Sequence, residues 1–237
     1  IDNRTPCYYA VDTAISCNTT NSSASTNNQV LESNLTDNKN IFTITPTPAL
    51  VIFGGGVDSH PLVCMAHTLG WFVCLVDSRT AYARTAYFKS ADIIINADYA
   101  GLATNPLIPK ADAIVVMHHN ILLDAKALQL TQTINRLSGA RYIGILGPQH
   151  RTKKVLEQAK LLSTKLPSKL TNKLASPIGL DLGGDLPESI ALAILAQAHA
   201  VIEKASAENL GFFDDETCTA IATNKLTAVK VISKHAN

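Results

Sequence analysis

Residues 51–59 read Val-Ile-Phe-Gly-Gly-Gly-Val-Asp-Ser, an apolar run that ends in three glycines and leads into a small polar pair. Leu50 to Phe53 is a short apolar run of the kind that forms a parallel strand buried on both faces. From Ser59 to Leu69 the apolar positions change period. Leu62, Met65, Ala66 and Leu69 share one side of a helix, and Gly70 stops it. Strand, glycines and helix together form the local context of a nucleotide or dinucleotide fold. Within it Gly54 permits the tight turn and Gly56 lets a phosphate approach the backbone. Gly54, Gly55, Gly56, Val57 and Asp58 lead into the helix N-terminus, where N–H groups and the positive dipole end favour an anion. Ser59 stands where the G-x-G-x-x-G pattern has its third glycine; it is small enough for close packing.

Working outward, Phe72 to Val76 is a second apolar strand ending at Asp77, 21 residues after Gly56. An acid there accepts hydrogen bonds from ribose hydroxyls in dinucleotide folds, and Arg79 beside it is placed to meet a phosphate. A second reading stays open, in which the glycines only make a sharp turn and Asp77 caps the next segment. Ile93 to Ile95, Ala113 to Met117 and Arg141 to Leu146 continue the strands. Helices are expected over Ile121 to Leu137, Gln149 to Leu162 and Pro187 to about Ala205, the last with Asp185 and Glu188 spaced as a capping pair. Strands alternating with helices predict an α/β protein: a Rossmann-like, doubly wound parallel sheet with helices on both faces.

The flanks differ from this region. Residues 1–40 include the polar run Asn18 to Asn28 and are read as a linker or the remnant of a missing N-terminal domain, with one short strand near Cys7 to Val11. Residues 41–210 form the Rossmann-like domain, entered through a strand at Ile41 to Ile44 and the stiff pair Pro46 and Pro48. Residues 211–237 are an extension in which Thr227 to Ser233 alternates like an edge strand.

Of 237 residues, 20 are basic and 19 acidic, which gives no electrostatic case for a nucleic-acid partner. No apolar run reaches the roughly 18 residues that span a bilayer, so no membrane partner is expected either. The cysteines Cys7, Cys17, Cys64, Cys74 and Cys218 are odd in number and without C-x-x-C spacing, which argues against a disulfide framework or a metal site. No charged-apolar-small leader opens the sequence. A reduced, cytoplasmic protein is the expectation.

Four stretches together resemble the C-terminal Rossmann domain of the XdhC/CoxI family, the xanthine dehydrogenase accessory proteins. They are Leu50 to Leu62 (LVIFGGGVDSHPL), Gly70 to Arg79 (GWFVCLVDSR), Ala113 to Asp124 (AIVVMHHNILLD) with Tyr142 to Pro148 (YIGILGP), and Pro177 to Gly183 (PIGLDLG) with Leu186 to Ala191 (LPESIA). The last pair is the most specific, and the resemblance covers roughly residues 41–205. It implies help in maturing a molybdenum hydroxylase such as xanthine dehydrogenase: receiving the molybdenum cofactor (molybdopterin), aiding its sulfuration and delivering it. That is chaperone work rather than metabolite turnover. The family's separate N-terminal domain carries a Gly-Gly-Cys motif linked to cofactor binding, and no such motif occurs here. The chain is then either a piece of a longer protein or a member whose chemistry lies elsewhere, and direct ligation of the cofactor by cysteine is not expected.

The remaining candidates gather at the C-terminal edge of the sheet. After the fourth core strand come His118, His119 and Asn120; the resemblance favours His119 over His118 as a ligand contact or general base, and Asp124 matches the family acid. Asp124 reads equally as an early-turn residue favoured by the helix dipole. Gly147 and Pro148 open the next helix beside Arg151 and form a second candidate anion site, and Asp181 lies in the Gly179–Gly184 turn. The ligand is the molybdenum cofactor or a nucleotide (NAD- or CTP-like). The alternatives are an NAD-dependent oxidoreductase using His119 and a nucleotide-sensing domain. The helix from Pro187 either packs on the sheet or serves a homodimer.

Overall fold

Apolar runs and helix-spaced segments resolve into a six-stranded parallel sheet. The structure, a computed structural model, describes residues 7–12, 39–44, 46–162, 167, 170 and 172–210. Residues 1–205 form one compact unit and 206–237 a second, of which only 206–210 are described. The expected strand at Thr227 to Ser233 lies outside the described residues.

In chain order, β1 (Cys7–Asp12) and β2 (Lys39–Ile44) form an antiparallel pair, with Cys7 opposite Ile44 and Asp12 opposite Lys39. The main sheet contains β3 (Ala49–Phe53), β4 (Phe72–Asp77), β5 (Ile93–Asn96), β6 (Ala113–Val116), β7 (Tyr142–Ile145) and β8 (Leu174–Ala175). Its order is β5-β4-β3-β6-β7-β8 with every pair parallel. This is the Rossmann arrangement, in which the chain starts at the centre and builds outward first to one edge and then to the other. Helix α1 (Ser59–Thr68) follows β3, α2 (Ile121–Thr133) and the one-turn α3 (Asn135–Ser138) follow β6, α4 (Gln149–Gln158) follows β7, and α5 (Pro187–Glu203) closes the unit. A 3₁₀ helix, Tyr99–Thr104, follows β5.

All five residues of β3 are fully buried because both faces of the sheet are covered. Strand periodicity divides the core. Val51, Phe53, Val76, Ile114, Val116 and Ile145 pack with α2, α4 and the 3₁₀ helix. Leu50, Ile52, Leu75, Val115 and Tyr142 pack with Leu62 and Ala66 of α1 and Ile194 and Ala198 of α5. The PIGLDLG turn packs on the α5 side of the sheet through Ile178 and Gly179. Ile178 lies so close over Gly144 that a Cβ there would come within 2.2 Å of it, and Gln197 of α5 accepts from both the Tyr142 hydroxyl (2.8 Å) and Gly179 N–H (2.9 Å).

Several element boundaries differ from the sequence reading. The helix expected over Ile121 to Leu137 breaks at Ile134, whose backbone is extended (φ −85°, ψ 116°). The β-branched Thr131, Thr133 and Ile134 weaken the helix there, and Arg136 beyond the break donates to the Pro106 and Ile108 carbonyls at 2.9 Å. Asp185 does not cap α5: the N-cap is Leu186 (φ −77°, ψ 150°), with no side-chain cap bond. Pro187 holds the preceding residue in an extended conformation, which shifts the helix start one residue past the capping-pair register. β8 is a two-residue strand, too short for its period to register in sequence. Among the described residues no helix is long and apolar enough to cross a membrane.

Candidate functional site

The order of the sheet reverses between β3 and β6, so the loops leaving their C-terminal ends meet at the topological switch point, where open α/β sheets bind ligands. The three glycines after β3 are there for different reasons. Gly54 has φ +118°, and a Cβ on it would lie 2.7 Å from the Met117 carbonyl carbon, so the two loops cross in contact. A Cβ on Gly55 would lie 2.7–2.9 Å from Ala83, which the β4–β5 segment lays against the turn. Gly56 differs from both: a Cβ there would meet nothing within 4 Å, and its φ lies outside the left-handed range. Protein packing does not ask for glycine at that position.

Ser59, buried at the start of α1, donates its hydroxyl (2.6 Å) and N–H (3.2 Å) to the Gly56 carbonyl. The N–H groups of Gly56, Val57 and Asp58 bond to no described residue. Asp58, the N-cap of α1, makes no cap bond; its carboxylate pairs instead with His119 Nε2 at 2.8 Å. Three successive free donors therefore stand at the positive end of α1, an arrangement suited to phosphate oxygens.

Beside the turn opens a cleft of about 500 Å³. Gly55, Gly56 and Val57 form its floor and lip, His60 and Pro61 of α1 one wall, Tyr82, Tyr87 and Phe88 of the β4–β5 segment another, and Pro187 and Glu188 belong to the start of α5. Val57 is 85% exposed at the mouth.

Asp77 is fully buried and does not line this cleft. Its Oδ2 accepts from Gly55 N–H (2.8 Å) and Arg79 Nη2 (2.7 Å), and its Oδ1 accepts from Arg79 N–H (2.9 Å) and Nε (3.0 Å). Burial pushes its carboxyl up, but the Arg79 fork and the two backbone donors outweigh that and hold it below its ordinary value. The guanidinium of Arg79, raised in turn by Asp77, lies 3.5 Å over the Tyr82 ring centroid. Both oxygens of the acid thus serve the protein's own turn, and Arg79 faces a carboxylate and an aromatic ring.

The two histidines after β6 have opposite environments. His119 (φ +58°) turns outward to Asp58, with its side chain 57% exposed. His118 is buried: Nδ1 lies 2.8 Å from Asp124 Oδ1, which also accepts the His118 N–H at 3.1 Å, and Nε2 bonds the Tyr99 hydroxyl. Asp124, also buried, accepts from Arg151 at 2.5 Å through its other oxygen. Burial raises its carboxyl, and the bonds from His118 and Arg151 more than reverse that, leaving it lowered. Arg151 further donates to the Leu146 carbonyl at 3.1 Å, so its fork serves the fold. Sequence reasoning placed His118 behind His119 and passed over Tyr99. Strand parity was the available signal for His118, since Ile114, Val116 and then residue 118 face the α2 side.

The structure thus brings Gly54 to Asp58, His119, Asp77 and Arg79 together at the switch point. Asp124 joins Arg151 in a second, buried cluster beneath the α4 start at Gly147 and Pro148. Asp181 is exposed in its turn, and neither it nor Gly147 and Pro148 line the cleft. Among the described residues no three His, Cys, Asp or Glu side chains converge in a metal-holding group.

Residues 50–198 match the family described as the XdhC Rossmann domain. Over 162 residues, 68% of this chain, the sequence is 34% identical to a probable xanthine dehydrogenase subunit of Bacillus subtilis (strain 168), of which it covers 45%. The crystal structure of a xanthine dehydrogenase from Bacillus halodurans superposes with a TM-score of 0.59 at 31% identity, over 73% of this chain and 48% of that one. The chain spans less than half the length of either relative. The matched range contains the glycine turn, the Asp77–Arg79 pair, both histidines and most of α5. By this match the chain belongs to the XdhC family, and residues 50–198 are its Rossmann domain.

Proposed function

We propose that this chain acts as an accessory protein in the maturation of a xanthine-dehydrogenase-type molybdenum hydroxylase, with its Rossmann domain holding the phosphate of the molybdenum cofactor or of a nucleotide at the glycine turn. The observation that carries this reading is Gly56: a glycine that neither packing nor backbone requires, at the edge of a cleft, beside three free N–H donors. A phosphate laid on those donors would occupy the space a side chain at 56 would take. The names of the two relatives support the link to xanthine dehydrogenase.

The chemistry of the donor set suits binding and delivery. It fits the phosphate end of the cofactor, and the residues that would hold it are Gly56, Val57 and Asp58 through their N–H groups. Among the described residues, no cysteine lines the cleft. Cys74 is a core residue whose thiol burial, and then Asp92, push up to about 12, far from the thiolate form.

The test is calorimetric titration of the protein with molybdopterin-type cofactor, CTP, ATP and NAD, alongside recovery of activity by apo xanthine dehydrogenase. Micromolar binding that disappears in Gly56→Val, with the melting temperature retained, is the expected result. Binding of NAD alone would replace the proposal with a dehydrogenase, and a Gly56→Val protein that binds like the parent would remove the turn from the site.

A further inference from the structure

The Asp77 carboxylate begins a connected series that ends on the cleft wall. Gly55 N–H and the Arg79 fork both close on Asp77, and the Arg79 guanidinium covers one face of Tyr82. The next residue, Ala83, is buried against Gly55, and its carbonyl accepts from Asn96 Nδ2 at 2.8 Å. Tyr82 is therefore held on two sides relative to the glycine turn, yet remains 42% exposed and lines the cleft. A tyrosine on a flexible surface loop would have neither restraint.

The rest of the lining is chemically lopsided. His60, Pro61, Tyr87, Phe88 and Pro187 present rings, while Glu188 is the one acidic or basic side chain apart from His60 among the described lining residues. Flat π-faces suit stacking on Tyr82. An ionised carboxylate only accepts hydrogen bonds. It therefore matches a heterocycle edge with two adjacent donors, an amino group beside a ring N–H. Guanine and 2-amino-4-oxopteridines carry that edge. Adenine and cytosine place an acceptor nitrogen beside the amino group, and hypoxanthine lacks the amino group.

Resting on the reading of Gly56 as a phosphate position, we infer that the cleft selects a phosphorylated heterocycle with this amino–N–H edge, stacked on Tyr82 and read by Glu188, with Asp77 and Arg79 as positioning residues for the Tyr82 ring. The volume of about 500 Å³ falls within the range of small-ligand sites.

Titrating the protein with GMP, IMP, AMP, ribose 5-phosphate and a monophosphorylated 2-amino-4-oxopteridine tests this. GMP or the pteridine is expected to bind about tenfold tighter than IMP, AMP or ribose 5-phosphate. The stronger of the two identifies the source of the edge. Tyr82→Ala should weaken the ring-bearing ligands about tenfold and leave ribose 5-phosphate unchanged, with Tyr82→Phe restoring most of the loss. Arg79→Lys, which loses the fork, should show the same split between ring-bearing and ringless ligands. Glu188→Ala should abolish the preference for GMP over IMP. Equal affinity for all five ligands overturns the ring and edge selection while the Gly56 reading stands. Failure of every ligand, ribose 5-phosphate included, overturns both.

Discussion

At the residue scale, the three glycines give opposed expectations for one small change. Gly54→Ala forces a Cβ into the Met117 carbonyl at a backbone angle that L-residues avoid, and should destabilise the fold by about 2–4 kcal/mol. Gly56→Ala adds a methyl into open space at an ordinary angle, and should leave stability unchanged or raise it by about 0.4–1 kcal/mol by restricting the unfolded chain. Urea unfolding of the two variants measures the difference, and a Gly56→Ala protein as unstable as Gly54→Ala would show that position 56 is structural after all. Asp77 teaches a related lesson. Its place at the end of β4, 21 residues past Gly56, was readable from spacing, but the occupation of both its oxygens was not. The Gly55 N–H and the Arg79 fork reach it only once the turn has folded over the strand end.

At the element scale, each helix start records a local chemical choice. Asn120 caps α2 in the ordinary way, its Oδ1 accepting from Leu122 N–H at 3.0 Å and Leu123 N–H at 3.1 Å. Asn120→Ala should cost about 1 kcal/mol, visible as a lower melting temperature with the spectrum of the folded protein retained. α5 starts at Pro187 with no side-chain cap, and α1 starts with its N-cap carboxylate turned aside to His119. The starts of α1 and α5 are also the two that reach the cleft. The period of α1 was legible because Leu62, Met65 and Ala66 repeat over its ten residues. The break in α2 was not, because Leu130, Ile134 and Leu137 keep helical spacing across it and only the backbone angles at Ile134 reveal the interruption.

At the scale of the whole molecule, two buried carboxylates tie the sheet edge to the loops around it. Asp77 and Asp124 both have lowered pKa values in the folded chain, because bonds from Arg79 and Gly55, and from His118 and Arg151, outweigh burial. A carboxyl lowered by folding contributes stability in full above its unfolded pKa of about 4, and that contribution is lost as pH falls through the folded value. Stability should therefore drop as the solution is acidified below about pH 4, and Asp124→Asn should flatten that dependence while lowering stability near neutrality. Chemical denaturation at pH 7, 5 and 3 on both proteins tests the sign. An equal acid slope in the two would show that Asp124 carries none of it.

The parallel sheet and the glycine turn were legible in the chain alone because both depend on short-range physics, whereas the family was legible only through the motifs that the chain shares with it. Apolar run length, a change of hydrophobic period and the missing Cβ of glycine act within a few residues of one another. Tertiary structure alone settled what holds the buried His118 in place. The answer depends on Tyr99, nineteen residues earlier in the chain, and on Asp124, which only the packing of α2 and the 3₁₀ helix brings to His118. It likewise decided that Asp77 holds the turn rather than the cleft, and that Tyr82 and Glu188 share one cleft. Those relations are set by how β4, the segment after it and the start of α5 converge across the sheet edge, and sequence spacing carries no record of that.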